Sequence, residues 1–161
     1  SAISGAAVGG GFELAAATHI RVADETAFFA LPEGQRGIFV GGGGSVRIAR
    51  LIGPARMGDM MLTGRSLRAA EMERWGGVTY VTDAGTALDK ATEIADGMAR
   101  NAGFTNYAII NALPRIADMS SEDGLFTEAM VASLATMTDD ARDRLRAFLD
   151  KRAEKVRDPN G

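Results

Sequence analysis

The chain contains no cysteine and a single histidine. A disulfide framework and a thiolate zinc site are thereby excluded, and one imidazole cannot build a histidine-rich metal centre; the composition fits a reducing compartment. Basic residues are not in excess. There are 18 Lys and Arg against 21 Asp and Glu, for a net charge of −3, and they are interspersed with acids rather than gathered in a stripe. That balance leaves no electrostatic footprint for nucleic acid or an anionic membrane, so neither is expected as a partner. No apolar run reaches the roughly 20 residues that span a bilayer. The opening SAISGAAVGGG has neither a basic segment nor a long apolar one, which does not read as an export signal, and a cytoplasmic location is expected.

Glycine, by contrast, is plentiful, and 46% hydrophobic with 24% charged residues is the composition of an ordinary soluble globular protein. The tract Gly41-Gly42-Gly43-Gly44-Ser45 looks like a flexible linker. A linker there would leave a first piece of about forty residues, too small to bury a self-sufficient core. Residues 1–82 are glycine-rich and short in period, residues 83–161 charged and helical in period, and no Pro/Gly/Ser boundary separates them. They are read as two parts of one functional unit.

An apolar strand is expected at 2–7, a glycine turn at 9–11 and a short helix at 12–17. Strands follow at 19–23 and 27–31, the second stopped by Pro32, with a turn at Asp24-Glu25-Thr26 between them. A helix begins near Val46, and Pro54 opens the next in its first turn. Residues 66–74 carry good helix formers, Gly76-Gly77 end that helix, and 78–81 form a short strand. Leu88, Ala91, Ala95 and Met98 recur at helical spacing, as do Leu125, Phe126, Ala129, Met130 and Ser133. A last helix from about Thr138 has Ala141, Leu145, Phe148 and Leu149 as its apolar face. Acids at its start and Lys151 and Arg152 near its end suit the helix dipole.

Neither glycine cluster fits a nucleotide motif: both lack the Gly-Lys-Ser/Thr ending, and Gly9-Gly10-Gly11 lacks the third spaced glycine. A glycine triplet otherwise packs strand on helix, or lets a backbone N–H approach an oxyanion. Glu13 lies in the first turn of a Phe/Leu/Ala helix, facing either the dipole or an apolar pocket, and Glu33 follows Pro32 in an apolar run. Alone, each reads as a surface acid. The legs 19–23 and 27–31 each span roughly 17 Å and nearly cancel, which permits the two carboxylates to meet. Two carboxyls over an apolar cleft divide acid and base roles between them. His19 reads as a structural histidine on a strand, Trp75 as packing at a helix end, and Met57, Met60 and Met61 as core filling.

The motifs G-x-x-x-GGG-x-E-L-A from Gly5, A-x-F-x-x-P-E from Ala27 and G-x-x-x-G-x-GG-S from Gly37 stand in order. With the later LTGRSLRAAEMERWGGVTYV and TDDARDRLRAFLDKR, they resemble the crotonase (enoyl-CoA hydratase/isomerase) superfamily along essentially the whole chain. The resemblance implies an α/β fold: a crotonase (ClpP/crotonase-like) ββα spiral core, then a C-terminal helical trimerisation region. The N-terminal part of that fold has no counterpart in this sequence.

It further implies hydration of a 2-enoyl-CoA to a 3-hydroxyacyl-CoA, with coenzyme A as part of the substrate and no cofactor or metal. Gly10 would supply an oxyanion N–H, Glu13 and Glu33 would hold the attacking water, and Gly41 would help position it. In those roles Glu13 is the better base and Glu33 the better acid. Phe148 and Lys151 would reach the CoA, in a homotrimer or dimer of trimers. An enoyl-CoA isomerase driven by Glu33, and a non-catalytic acyl-CoA-binding fragment, are the alternatives. Departures from the family pattern fall at Val40 in place of proline, Gly34, Gln35 and Arg36 in place of apolar residues, Val46 in place of glutamine, His19 in place of aspartate, and Asp143-Arg144 in place of Glu-Gly.

Overall fold

Gly5 stands at φ +65°, a backbone conformation that residues with a side chain rarely adopt. That one residue divides the strand expected at 2–7 into β1 (Ala2–Ile3) and β2 (Ala6–Val8), which belong to different sheets. The chain then enters α1 (Gly10–Ala16) and repeats the switch with β3 (Val22–Asp24) and β4 (Phe28–Ala30). β3 lies parallel to β1 with Ile3 opposite Ala23, and β4 lies parallel to β2 with Ala7 opposite Phe29. A 3-10 turn (Gly34–Arg36), α2 (Gly44–Ile52) and α3 (Pro54–Thr63) follow. Then come β5 (Ser66–Arg68), α4 (Ala69–Trp75) and β6 (Tyr80–Thr82). The sheets are ordered β1-β3-β6 and β2-β4-β5. This computed structural model describes residues 1–153.

Three expectations require correction. Residues 66–68 are not helical: Leu67 is buried between exposed Ser66 and Arg68, and the segment pairs antiparallel with β4, Leu67 opposite Phe29. The open edge of β4 and an alternating burial pattern override helix propensity here. Helix α4 starts after them, where Arg68 N–H donates to Glu71 Oε2 at 3.0 Å. The strand expected at 19–23 begins only at Val22, and His19 lies on an exposed bend. Buried Arg21 pins that bend, its guanidinium donating to the carbonyls of Thr18 at 2.5 Å and Gly77 at 2.8 Å. Gly10 and Gly11 lie inside α1 rather than in the turn, which Gly9 makes alone at φ +52°.

The core of the first part is built around Phe12 and Phe29, both fully buried and packed edge to face with ring centroids 5.1 Å apart. Leu31, Ile48, Met60, Leu67 and Met72 complete it. Each such side chain contributes about 1.5–3 kcal/mol by leaving water. Met57 and Met60 are core residues and Met61 packs against them. Trp75 is half-buried at the end of α4, with the guanidinium carbons of Arg56 and Arg65 at 5.1 and 5.3 Å from its ring centroid.

A buried carboxylate ties the strand switches together. Asp24 accepts the hydroxyls of Ser4 and Thr26, the Thr26 N–H at 2.9 Å and the Gly85 N–H at 3.1 Å. Those donors, Ser4 and Thr26 foremost, hold its pKa down to about 2.

The chain divides into two compact units, Ser1–Asp96 and from Gly97 onward. Helix α5 (Ala87–Ala99) runs across that division in sequence. The second unit contains α6 (Gly103–Asn111), α7 (Leu113–Ile116), α8 (Ser121–Thr136) and α9 (Asp139–Leu149). The Thr138 hydroxyl caps α9 by accepting the Ala141 N–H at 3.2 Å. In this unit only Ala102 and Gly124 are buried among the described residues, and Phe126, Leu145, Phe148 and Leu149 are exposed. Among the described residues no helix is long and apolar enough to cross a membrane. Nor do three or more His, Cys, Asp or Glu there cluster to hold a metal ion.

Candidate active site

The first turn of α1 is where sequence and geometry converge. Gly9 donates its N–H to the Ala30 carbonyl at 2.9 Å, and its own carbonyl accepts from Phe12 and Glu13. This fixes the helix start against the end of β4. The first N–H groups of any helix lack an intrahelical acceptor. That of Gly10 has no acceptor among the described residues, and a Cβ added at Gly10 would meet nothing within 4 Å.

Glu13 is 7% exposed, one turn into α1. Its Oε1 accepts two backbone N–H groups, from Gly42 and Gly44, each at 2.8 Å. The glycine tract is therefore not a linker. It wraps a carboxylate and opens α2, with Gly43 in the left-handed region at φ +93°. A Cβ on Gly42 would stand 3.1 Å from Glu13 Oε2, and one on Gly44 2.9 Å from Oε1. The absent side chains are what allow the carboxylate to lie against the loop.

Glu33 is 6% exposed and lies where the chain leaves β4. Its carboxylate packs on Gly9, where a Cβ would come within 2.8 Å of Glu33 Oε1. Glu33 Oε2 is buried without a hydrogen-bond partner. A buried carboxylate oxygen with no donor is costly, and a catalytic role is one of the few reasons such a group is kept. Glu33 borders a pocket of about 180 Å³ lined also by Val8, Gly9, Gly10, Pro32, Arg36 and Ile38.

Of the residues singled out from sequence, Gly10 and Glu33 thus share one pocket, and Glu13 is held one helical turn from Gly10. Gly41 is not one of the donors to Glu13, and its N–H has no acceptor among the described residues. Phe148 and Lys151 belong to the second unit. Both are exposed, and Lys151, at φ +57°, donates its N–H to the Phe148 carbonyl at 3.0 Å. Sequence reasoning missed Gly42 and Gly44 as the clamp on Glu13, and Gly9 as the support of Glu33. The only signal was a glycine run longer than a single turn needs.

A sequence profile described as Enoyl-CoA hydratase/isomerase matches residues 1–159. An enoyl-CoA hydratase of Mycobacterium tuberculosis is 34% identical over 153 residues, which are 95% of this chain and 58% of that protein. The carnitinyl-CoA dehydratase of Proteus mirabilis is 39% identical over 124 residues, 77% of this chain and 48% of that one. Among solved structures, a protein of Rhodopseudomonas palustris provisionally named an enoyl-CoA hydratase superposes with a TM-score of 0.90. Its identity is 54%, covering 93% of this chain and 58% of that one. The chain spans from about half to three fifths of the length of the relatives it matches. The matched profile, the two sheets between which successive strands alternate and the likeness to these structures together establish that the chain has the crotonase fold and belongs to the enoyl-CoA hydratase/isomerase family.

Proposed function

We propose that the chain carries the acid–base pair and one oxyanion donor of an enzyme that hydrates a 2-enoyl-CoA thioester to the 3-hydroxyacyl-CoA. The observation that carries this reading is the pair of buried carboxylates at the start of α1, one clamped and one unpartnered. Hydration needs a base for water, an acid for the α-carbon and a donor for the thioester oxygen.

In this reading water is held between Glu13 and Glu33. Its oxygen bonds to C3 of the enoyl group while one of its protons passes to Glu13. The displaced π electrons move to the thioester oxygen, and the Gly10 N–H stabilises the resulting enolate. Glu33 delivers a proton to C2, the enolate collapses, and a 3-hydroxyacyl thioester results. The carboxylates exchange the proton gained for the proton given, so no net proton is consumed. The Gly42 and Gly44 N–H groups keep Glu13 at a fixed angle, and the free N–H of Gly41 is an additional donor to the water. Phe148 and Lys151 are proposed to contact the CoA moiety.

A second reading has one observation in its favour: Glu33 borders the pocket with Gly10, whereas Glu13 does not. A single carboxylate there suits an isomerase, which moves a proton between C2 and C4. The native protein supplied with 2-enoyl and 3-enoyl thioesters separates the two. Hydration of the 2-enoyl substrate, lost in Glu13→Gln and in Glu33→Gln, is expected; conjugation of the 3-enoyl substrate without hydration of the other makes it an isomerase. Binding of acyl-CoA with no turnover of either leaves a non-catalytic binding protein.

The near absence of burial in the second unit supports assembly as a trimer or dimer of trimers, since exposed apolar helix faces of this extent are normally covered. Light scattering on the eluting protein gives the subunit number, and a monomer at micromolar concentration rejects this assembly.

A further inference from the structure

The turn after Glu33 is held by two bonds to one backbone carbonyl. The Glu33 carbonyl accepts two N–H groups, from Arg36 at 3.0 Å and from Ile38 at 3.1 Å, and Gly37 reverses the chain between them at φ +68°. Arg36 and Ile38 are thereby presented on a fixed frame whose origin is the same residue that supplies the unpartnered carboxylate. Both line the 180 Å³ pocket beside Gly10.

Among the described residues Arg36 is the only cation in that lining, and the walls next to it are Val8, Pro32 and Ile38. Its guanidinium has no ion pair or side-chain hydrogen bond among the described residues. Glu33 is the obvious candidate to neutralise it, yet Glu33 Oε2 has no partner. The pocket rim therefore combines a short apolar wall with an uncommitted planar cation. A guanidinium of this kind pairs best with a carboxylate, through two parallel N–H bonds.

We infer that Arg36 makes the site selective for thioesters whose short acyl chain ends in a carboxylate. The inference rests on the acyl-thioester reading of the pocket and adds the class of acyl group. In it the thioester oxygen lies toward Gly10, the reacting carbons lie beside Glu33, and the distal carboxylate reaches Arg36 at the rim. Arg36 is a specificity determinant and takes no part in proton transfer.

Two saturated thioesters of equal chain length, butyryl-CoA and freshly prepared succinyl-CoA, test this by titration calorimetry on the native protein, because they differ in a terminal methyl against a carboxylate. Succinyl-CoA is expected to bind about tenfold more tightly, the scale of one charge-assisted pair at a partly open site. Arg36→Gln should bring the ratio of the two affinities close to one, and Arg36→Lys should restore part of it. Equal affinities in the native protein, or a preference that survives Arg36→Gln, overturn the inference while leaving the thioester reading intact. Failure to bind either thioester rejects both, and the hydration assay then shows whether the catalytic reading falls with them.

Discussion

Replacing Gly44 by alanine separates the proposed catalytic use of the glycine tract from its structural use. The new Cβ would stand 2.9 Å from both Cγ and Oε1 of Glu13, closer than real side-chain contacts allow. The carboxylate is the movable partner, so Glu13 shifts by some tenths of an ångström and its 2.8 Å bond from Gly44 lengthens or breaks. A hydrogen bond to a charged group is worth about 1.5–3 kcal/mol. If that bond holds Glu13 in its reactive orientation, its loss lowers kcat by roughly 10- to 150-fold. The fold feels the same loss, less what the helix returns. Gly44 is the first residue of α2 and does not lie in the left-handed region, so alanine there is compatible with the helix and gains up to about 1 kcal/mol of propensity, which leaves a net destabilisation of about 0.5–3 kcal/mol. Initial rates of 2-enoyl thioester hydration, measured beside a thermal melt and at a temperature where the variant is still folded, should show kcat down by that factor and the melting temperature lowered by a few degrees. An undiminished kcat would remove the clamp from the mechanism, and a loss of rate accounted for by the fraction unfolded at the assay temperature would make Gly44 a folding residue only; either result refutes the reasoning.

Gly58→Ala is the matching control: it sits inside α3 with open space where its Cβ would go, and should raise stability by about 0.5–1 kcal/mol, seen as a melting-temperature increase with unchanged kcat. Phe29→Ala removes a fully buried ring and its edge-to-face partner contact with Phe12, and should cost about 3–5 kcal/mol in urea unfolding. Asp24→Asn should change the pH dependence of stability. The folded carboxylate titrates near 2, below the roughly 3.9 of an unfolded chain, so its contribution is complete at neutral pH, declines as pH falls below about 4 and is gone near 2. Urea midpoints measured from pH 7 to 2 should therefore be lower for Asp24→Asn at pH 7 and converge with the native protein at the acid end. Parallel curves would contradict this.

Local chemistry was the most legible part of the fold. Pro54 does begin α3, Gly76 at φ +86° does end α4, and α9 does start beside Thr138, because each signal acts within a few residues. What escaped depends on distant partners. The strand at Ser66–Arg68 exists because β4 offers an edge, which no window of sequence around Leu67 contains. The division at Gly5 turns on one backbone angle, and the role of Asp24 on donors 20 and 61 residues away. Helix α6, with Phe104, Ala108, Ile109 and Ile110, carries apolar residues without a one-sided period, so it left no amphipathic stripe to read. At the site, each glutamate alone reads as a surface acid, and their pairing and the family resemblance single them out. The two N–H groups that hold Glu13 could not be named, because a glycine that turns a chain and one that makes room for a carboxylate look the same in sequence.

The exchange of strands between two sheets has a consequence for how such a site can change. Ala2–Val8 and Val22–Ala30 act as successive turns of a screw thread, with Glu13 following one turn and Glu33 the next. The pitch of that thread is the spacing between hydrogen-bonded strands, about 4.8 Å, a property of the peptide backbone rather than of any loop. Side chains around the pocket can therefore be exchanged for new substrates while the anchor points of the two carboxylates stay in step. Removing a single residue between Asp24 and Phe28 would not shorten a loop so much as strip the thread.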